Sequence, residues 1–205
     1  MIDRTFIDEL ASKAPTPGGG GACAYCGALA AALSSMVCNL TLGKKIYAAV
    51  EADVANALEQ LSVLQDRLLE LVDEDARAFA PLAAAYAMPK ETPAEQEAKK
   101  CALQEALIAA CEVPISIMQT CAQVVELAEL LIEKGSRSAL SDAGASVLFA
   151  KTALQGASLN VFINCNSMKD HDRRDIYLKE VWGLLDTYID RADRAYNTVM
   201  KELGA

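Results

Sequence analysis

One carboxylic acid interrupts an otherwise apolar stripe in a long helical segment. Between Glu51 and Tyr86, leucines and other apolar residues recur at three- and four-residue steps, the spacing of one face of an amphipathic helix. Continued from Leu71, the stripe reaches Asp75 before Phe79 resumes it. Burying an unpaired charge costs several kcal/mol, so we expect Asp75 to be ion-paired, protonated or directed into a polar cavity.

A carboxyl group at that position could transfer protons. Partial burial raises the pKa of a carboxyl group toward neutrality, which suits general acid or base catalysis near pH 7. The alternative for Asp75 is a structural ion pair with a neighbouring helix. Asp73 lies about 200° away round the helix, on the side of Arg77, where we predict a solvated carboxylate paired with that arginine. Asp73 is the second candidate for a catalytic acid.

A run of glycines follows Pro15-Thr16-Pro17 and opens directly into an alanine-rich segment. Glycines let a ligand approach the backbone, and the free N–H groups at a helix start attract anions or carbonyl oxygens. No strand precedes the run, so it is neither a dinucleotide fingerprint nor a phosphate loop. A tight packing turn is the alternative. The glycines are Gly18, Gly19, Gly20 and Gly21.

Polar residues elsewhere could also contact a ligand. Lys44 and Lys45 follow the far end of the alanine-rich helix, where they either complement its dipole or hold a ligand carboxylate. Asp142, Asn160 and Asn164 share one face of a largely uncharged segment, and buried groups of these types need hydrogen-bond partners. Asp142 and Asn160 are ~27 Å apart along a helix, so one small ligand cannot contact both within one subunit. Hydrogen bonds that fix helix packing are the alternative for this face.

The remaining reactive residues do not form a recognised catalytic set. Cys23 and Cys26 have CxxC spacing, but no second pair accompanies them, so neither zinc binding nor dithiol redox chemistry is expected. His171 is the single histidine, which argues against a His-rich metal site or a Ser-His nucleophile. No metal site is predicted.

Composition restricts the class of protein. The 205 residues are 53% hydrophobic and 23% charged, which excludes a disordered chain and favours one domain over residues 1–205. The net charge of −9 and the lack of a basic stripe argue against nucleic-acid binding.

Seven cysteines, an odd number, predict reduced thiols and hence a cytoplasmic location. The uncharged stretch 14–43 is mainly alanine and glycine, so we expect it to be buried in protein rather than in a membrane.

Helical periodicity and capping signals predict an all-α fold. Pro81 should bend or break the third helix just after Phe79, and Pro114 should kink the fourth. The fifth helix is apolar all round, so we expect a helical bundle in which long kinked antiparallel helices surround this buried central one. Thr92, Pro93 and Glu95 predict a capping box at the start of the fourth helix, with Thr92 as the N-cap and Pro93 at the first helical position. The predicted helices cover about residues 5–12, 21–40, 51–86, 93–134, 140–166 and 172–203.

Five segments occur in the order found in a known family. They are Pro15–Gly20, Leu40–Lys45, Leu71–Phe79, Ser141-Asp142 and Leu159–Asn164. Together they resemble the cyclodeaminase domain of formiminotransferase-cyclodeaminase and its stand-alone relatives, which include methenyltetrahydrofolate cyclohydrolases. The resemblance covers nearly the whole chain. It implies an all-helical subunit that forms a homodimer, and a site for a tetrahydrofolate derivative that uses no metal or redox cofactor.

The resemblance also implies a chemistry. A cyclodeaminase converts 5-formiminotetrahydrofolate to 5,10-methenyltetrahydrofolate and ammonia, whereas a cyclohydrolase opens the methenyl bridge with water to give 10-formyltetrahydrofolate. The essential aspartate of the family falls in a Val-Asp-x-Asp-Ala motif, and we assign it to Asp75 because that position alone interrupts the apolar stripe, with Asp73 as second choice. By the same resemblance the glycine loop contacts the pterin or the reacting carbon. Substrate carboxylates would meet Lys44 and Lys45, and hydrogen bonds would come from Asp142, Asn160 and Asn164.

The chain departs from its relatives at Gly21, where they commonly have serine. A hydroxyl that could cap the helix or touch the substrate is therefore absent. These residues do not show whether the reaction releases ammonia, as in a cyclodeaminase, or adds water, as in a cyclohydrolase. Cyclodeaminase, with a separate formiminotransferase as a partner, is the first hypothesis, and cyclohydrolase is its alternative. A third hypothesis is a non-catalytic helical dimer that binds a small acid or a partner helix.

Overall fold

The computed structural model describes residues 4–204, and this part of the chain is helical without strands. The predicted all-α fold is confirmed. Two short 3₁₀ turns, Lys45–Val50 and Arg137–Ala139, lie before the third and fifth α-helices. The six α-helices are α1 (Arg4–Leu10), α2 (Gly19–Thr41), α3 (Glu51–Ala87), α4 (Pro93–Lys134), α5 (Leu140–Ser167) and α6 (His171–Leu203).

Helix α5 packs against α2, α4 and α6, while α2 also packs on α3 and α3 on α4. Small residues allow this close approach: a Cβ added to Gly27 of α2 would lie 2.7 Å from the Cys121 sulfur of α4. A buried polar contact joins α2 to α5, because the hydroxyls of Ser34 and Ser146 are 2.8 Å apart and Ser146 also donates to the Ala30 carbonyl. These contacts fix the registers of the helices that carry the site.

Helix α5 is only partly enclosed. Leu148, Phe149, Leu159 and Ile163 are exposed, so the prediction that α5 is surrounded on all sides is wrong for a single subunit. Its uniform apolarity reflects two faces, one packed on α2, α4 and α6 and one open.

Three described segments, α2, α4 and 137–167, are long and apolar enough to cross a membrane by length and composition alone. Half of the most apolar stretch of α2 is buried within the bundle, so its predicted burial is only partial.

The two internal prolines do not end their helices. Helix α3 is continuous from Glu51 to Ala87, so of the predicted bend or break after Phe79 the break does not occur. Arg77, whose carbonyl loses its partner at Pro81, is exposed, so water can satisfy that carbonyl. Helix α4 likewise continues through Pro114.

The helix starts follow capping chemistry. The predicted capping box at the start of α4 is present: the Thr92 hydroxyl accepts from the Glu95 N–H at 3.2 Å, and the Glu95 carboxylate accepts from the Thr92 N–H at 2.8 Å. Helix α6 begins one residue earlier than predicted because Asp170 caps it, accepting from the Arg173 N–H at 3.0 Å. Helix α2 begins at Gly19, two residues before the predicted start.

Candidate active site

A cavity of 270 Å³ lies where the start of α2 meets the last third of α3, the middle of α4 and the last turns of α5. Asp75 provides its single carboxylate, and two asparagine amides and several apolar side chains form most of the remaining wall. A mostly apolar cavity with a few convergent polar groups is the usual form of a small-molecule site. Its lining comprises Pro15, Thr16, Gly18, Gly19, Gly20, Asp75, Ala78, Phe79, Leu82, Tyr86, Ala110, Pro114, Asn160, Ile163, Asn164 and Ser167.

The Asp75 carboxylate meets the first turn of α2. Its Oδ2 atom accepts a hydrogen bond from the Gly21 N–H at 2.8 Å, and the side chain is half-buried. An N–H group at a helix start is otherwise unpaired, and the positive end of the helix dipole favours an anion there. Within residues 4–204 no lysine or arginine lies within ion-pair distance of Asp75, so the structural ion pair considered from the sequence is not formed.

Burial raises the pKa of the Asp75 carboxyl above its ordinary value, and the hydrogen bond from the Gly21 N–H lowers it to a smaller extent. The balance favours a carboxyl that exchanges protons closer to neutral pH than a solvated aspartate does. Because the folded-state pKa is raised, the ionised form of Asp75 costs stability at neutral pH. That cost is relieved as the pH falls through the folded-state pKa toward the unfolded value.

Gly20 allows the start of α2 to approach the Asp75 side chain of α3 closely. A Cβ atom on Gly20 would lie 2.1 Å from Asp75 Oδ1, so no side chain fits between α2 and the carboxylate. Gly21 differs, because its added Cβ would meet the Val72 carbonyl oxygen at 3.6 Å, an ordinary contact. A Cβ atom at this position would therefore fit without displacing its neighbours. The glycine run thus forms a tight packing contact and also lines the cavity. Both alternatives considered from the sequence, a packing turn and a ligand-contacting loop, therefore apply.

Asp73 does not contribute to the cavity. It is exposed, and the predicted pair with Arg77 is absent from the ion pairs of the described chain. Glu74 instead pairs with Arg67 at 2.6 Å on the solvent side of α3. Because Asp73 and Arg77 are both exposed, water screens their attraction and little is gained by holding the two side chains together.

Asn164 replaces a hydrogen bond that Pro114 removes. Pro114 has no N–H to donate to the carbonyl of Ala110, four residues earlier in α4. The Asn164 side chain of α5 donates to that carbonyl at 2.7 Å. Asn160, one turn before Asn164, donates to the Gly156 carbonyl at 3.3 Å, and its amide would lie 3.9 Å from a Cβ on Gly19. Both residues also line the cavity, and both make packing hydrogen bonds of the kind considered as the alternative from the sequence.

We expect Asn164 and Pro114 to be energetically coupled. Asn164→Ala should lower the free energy of unfolding by about 1–3 kcal/mol, because it leaves the Ala110 carbonyl without a partner. In a Pro114→Ala background, the new N–H can donate to that carbonyl, and the same change should cost about 1 kcal/mol less. Urea unfolding of the four proteins measures the coupling. Equal costs in the two backgrounds would contradict this role of Asn164.

The structure does not bring Lys44, Lys45 and Asp142 to this cavity. Helix α2 spans ~33 Å from Gly19 to Thr41, so the lysines lie at its other end. Lys44 donates to the Ser136 hydroxyl at 3.2 Å, and Lys45 begins a 3₁₀ turn. Asp142 lies in the first turn of α5, at the end opposite Asn160. Within one subunit, only the glycines, Asp75, Asn160 and Asn164 of the predicted set come together.

Several lining residues were not predicted as site residues. Phe79, Leu82 and Tyr86 lie 4, 7 and 11 positions after Asp75, on the same face of α3. Their helical spacing from Asp75 is a signal that the sequence did contain. Ser167, at the last position of α5, also lines the cavity and is detectable only from the fold.

The thiols near Asp75 are poor nucleophiles. Burial raises the pKa of Cys23 to about 11, with smaller contributions from Cys26 and from the Asp75 charge. All seven cysteines are free thiols. Among residues 4–204 no cluster of three or more His, Cys, Asp or Glu side chains could hold a metal ion, and His171 is exposed at the start of α6.

Three comparisons identify similar proteins. The sequence profile of the formiminotransferase-cyclodeaminase family matches residues 3–182. Methenyltetrahydrofolate cyclohydrolase of Methylorubrum extorquens is 45% identical over 98% of this chain and 96% of its own. Formimidoyltransferase-cyclodeaminase of Rattus norvegicus is 36% identical over 98% of this chain, which spans 37% of that protein. The crystal structure of formiminotetrahydrofolate cyclodeaminase from Thermotoga maritima superposes with a TM-score of 0.81 at 28% identity, covering 98% of this chain and 94% of that one.

Proposed function

Because the chain belongs to the formiminotransferase-cyclodeaminase family, we propose that it is a folate one-carbon enzyme with methenyltetrahydrofolate cyclohydrolase activity. The observation that carries the proposal is a half-buried carboxylate, free of cationic partners in the described chain, at the wall of a cavity. A relative that is 45% identical and is matched over 96% of its own length has this activity in its name. Cyclodeaminase is the first hypothesis from the sequence alone, but the comparisons support the cyclohydrolase alternative better.

Hydrolysis of the methenyl bridge needs proton transfers that one carboxyl group can perform. Water adds to the carbon between N5 and N10, and the oxygen must lose its protons as the formyl group forms. The bond from this carbon to N5 breaks, N5 gains a proton, and one proton is released overall. We assign the removal of a proton from water and its return to N5 to Asp75. Its raised pKa suits both directions of transfer.

The other cavity residues would position the substrate. The unpaired N–H groups of Gly19 and Gly20 at the start of α2 can donate to a carbonyl or ring nitrogen of the pterin. The amides of Asn160 and Asn164 supply further hydrogen-bonding groups, and Phe79 offers an aromatic surface for a flat ring. These assignments explain why the cavity combines apolar walls with few polar groups.

Cyclodeaminase activity is the second candidate. The similarity to proteins named as cyclodeaminases favours it, including the solved structure with the same fold. In that reaction N10 attacks the formimino carbon and ammonia leaves, so the same carboxyl would take a proton from N10 and give one to the amine. A separate formiminotransferase would then supply the substrate.

Two substrates tested in parallel separate these candidates. Purified protein should decrease the absorbance of 5,10-methenyltetrahydrofolate as 10-formyltetrahydrofolate forms. A cyclodeaminase would instead generate that absorbance from 5-formiminotetrahydrofolate and release ammonia. Turnover of neither compound would favour the non-catalytic dimer and contradict the proposal. Because only proton transfers are needed, the proposed reaction requires no metal or redox cofactor, and we expect chelators to leave turnover unchanged.

We further propose a homodimer, formed through the open faces of α2 and α5. Large apolar side chains remain exposed on both helices, and the two faces adjoin, since the Cys26 thiol donates to the Phe149 carbonyl at 3.5 Å. An exposed apolar surface of this kind marks an interaction site. A dimer would also be the only route by which Lys44, Lys45 and Asp142 could contact substrate, from the partner subunit. Sedimentation at the mass of one 21.8 kDa chain would contradict this proposal.

The seven free thiols support a cytoplasmic location.

A further inference from the structure

Two hydrogen-bond acceptors of the cavity wall have no partner within the described chain. Asn160 and Asn164 both line the cavity, and each uses its side-chain nitrogen for a backbone carbonyl, that of Gly156 at 3.3 Å and that of Ala110 at 2.7 Å. Neither Oδ1 atom accepts a hydrogen bond from residues 4–204. A carboxamide oxygen can accept two hydrogen bonds, so both oxygens are available to a ligand.

Pro114 determines which atom of Asn164 a ligand meets. A carboxamide can in principle be turned so that its oxygen and nitrogen exchange places. The turned form is excluded here, because Pro114 leaves the Ala110 carbonyl without a helical donor. The oxygen of a turned amide would lie 2.7 Å from that carbonyl oxygen, and the two would repel each other. The nitrogen of Asn164 is therefore committed to Ala110, which leaves the oxygen for a ligand.

We propose that these two oxygens recognise the pyrimidine ring of the pterin, with Asn160 Oδ1 accepting from N3–H and Asn164 Oδ1 accepting from the 2-amino group. This inference rests on the proposed folate function and specifies how the site selects its ring. The edge of a pterin presents one acceptor followed by two donors, which are the oxygen on C4, N3–H and the 2-amino group. A site that recognises this edge needs one donor followed by two acceptors.

The cavity wall supplies its groups in that order. Gly19 provides the donor, because its N–H lies at the start of α2 and has no helical partner. Gly19 is adjacent to Asn160, since a Cβ on Gly19 would lie 3.9 Å from both Oδ1 and Nδ2 of that side chain. Asn164 follows one turn later on the same face of α5, and the Cβ atoms of such a pair are about 5–6 Å apart. A donor and two acceptors therefore lie side by side.

Substitutions of Asn164 in a Pro114→Ala background test the acceptor role. In that background the N–H at position 114 can donate to the Ala110 carbonyl, so the carbonyl no longer depends on Asn164. Asn164→Leu removes the acceptor and should raise the KM for 5,10-methenyltetrahydrofolate about ten-fold relative to Pro114→Ala alone. Asn164→Asp keeps only acceptors and should change this KM by about two-fold or less. The matched controls Asn166→Leu and Asn166→Asp alter an exposed residue of α5 outside the cavity and should not change KM.

Two results overturn the inference and leave the proposed function intact. If Asn164→Asp raises KM as much as Asn164→Leu does, the amide donates to the substrate and does not accept from it. If neither variant raises KM beyond its Asn166 control, Asn164 does not contact the substrate.

A change in the ligand tests the same contact without turnover. Calorimetric titration compares 6-methyltetrahydropterin with an analogue that carries a methyl group in place of the 2-amino group. The wild type should bind the analogue about ten-fold more weakly, because the Asn164 oxygen loses its donor, whereas Pro114→Ala/Asn164→Leu should bind the two compounds equally. Equal affinity in the wild type, or binding of neither compound, refutes the inference. If no folate is turned over, the proposed function fails, and this titration still decides whether Asn164 recognises the ring.

Discussion

Asp75→Asn should reduce kcat for methenyltetrahydrofolate hydrolysis about 10²- to 10⁴-fold, the usual contribution of a positioned general acid or base. The protein should remain folded, because the asparagine Oδ1 can accept the same hydrogen bond from the Gly21 N–H. Loss of the ionised form removes the cost of burying a charge, so the free energy of unfolding at neutral pH should not fall appreciably. Steady-state kinetics and urea unfolding measure the two quantities.

Asp73→Asn is the matched control for this change. It removes the same charge two residues away, on the exposed side of α3. We expect activity and stability close to those of the wild type. A folded Asp75→Asn protein with full activity, or a larger loss of activity in Asp73→Asn than in Asp75→Asn, would show that Asp75 is not the catalytic acid or base.

Gly20→Ala should have the second largest effect, through geometry alone. The new Cβ would lie 2.1 Å from Asp75 Oδ1 and 2.5 Å from Cγ. These distances are too short for the carboxylate to stay where it is. Either the start of α2 moves or Asp75 turns away, and its hydrogen bond to the Gly21 N–H is lost. We expect kcat/KM to fall about 10²-fold and the free energy of unfolding to fall by about 1–3 kcal/mol, as in other overpacked sites.

Gly183→Ala provides the control for Gly20→Ala. Gly183 lies within α6, and no atom lies within 4 Å of its added Cβ. Alanine there should raise the free energy of unfolding by up to about 1 kcal/mol, because glycine is the poorer helix former, and activity should not change. If Gly20→Ala were as stable and active as Gly183→Ala, the close contact between α2 and Asp75 would not matter to function.

Local patterns in the sequence predicted the parts of the fold that depend on neighbouring residues. The apolar stripe of α3 identified Asp75 because helical spacing assigns each residue to a face without knowledge of other helices. The capping box at Thr92 and Glu95 fixed the start of α4 in the same way. By contrast, the sequence left open whether Pro81 bends or breaks α3, and the helix continues through it, since whether a lost hydrogen bond ends a helix depends on solvent access to the freed carbonyl.

Contacts between distant segments could not be predicted in this way. Periodicity places Asn160 and Asn164 on one face of α5, but it does not show that Pro114 leaves a carbonyl for Asn164. Nor does it show that Lys44 lies at the end of α2 away from the cavity, where it donates to Ser136. A tertiary arrangement decides which helix ends meet, and single-helix patterns do not contain that information.

The pKa of the Asp75 carboxyl tests the central claim most directly. Carbon-13 NMR of protein labelled at the aspartate carboxyl groups reports this pKa, and the resonance is assigned by its absence from Asp75→Asn. We predict titration clearly above the ordinary aspartate value of about 3.9, coinciding with a pH below which kcat/KM of the wild type declines. Titration at the ordinary value, or a kinetic pKa unrelated to this resonance, would contradict the account.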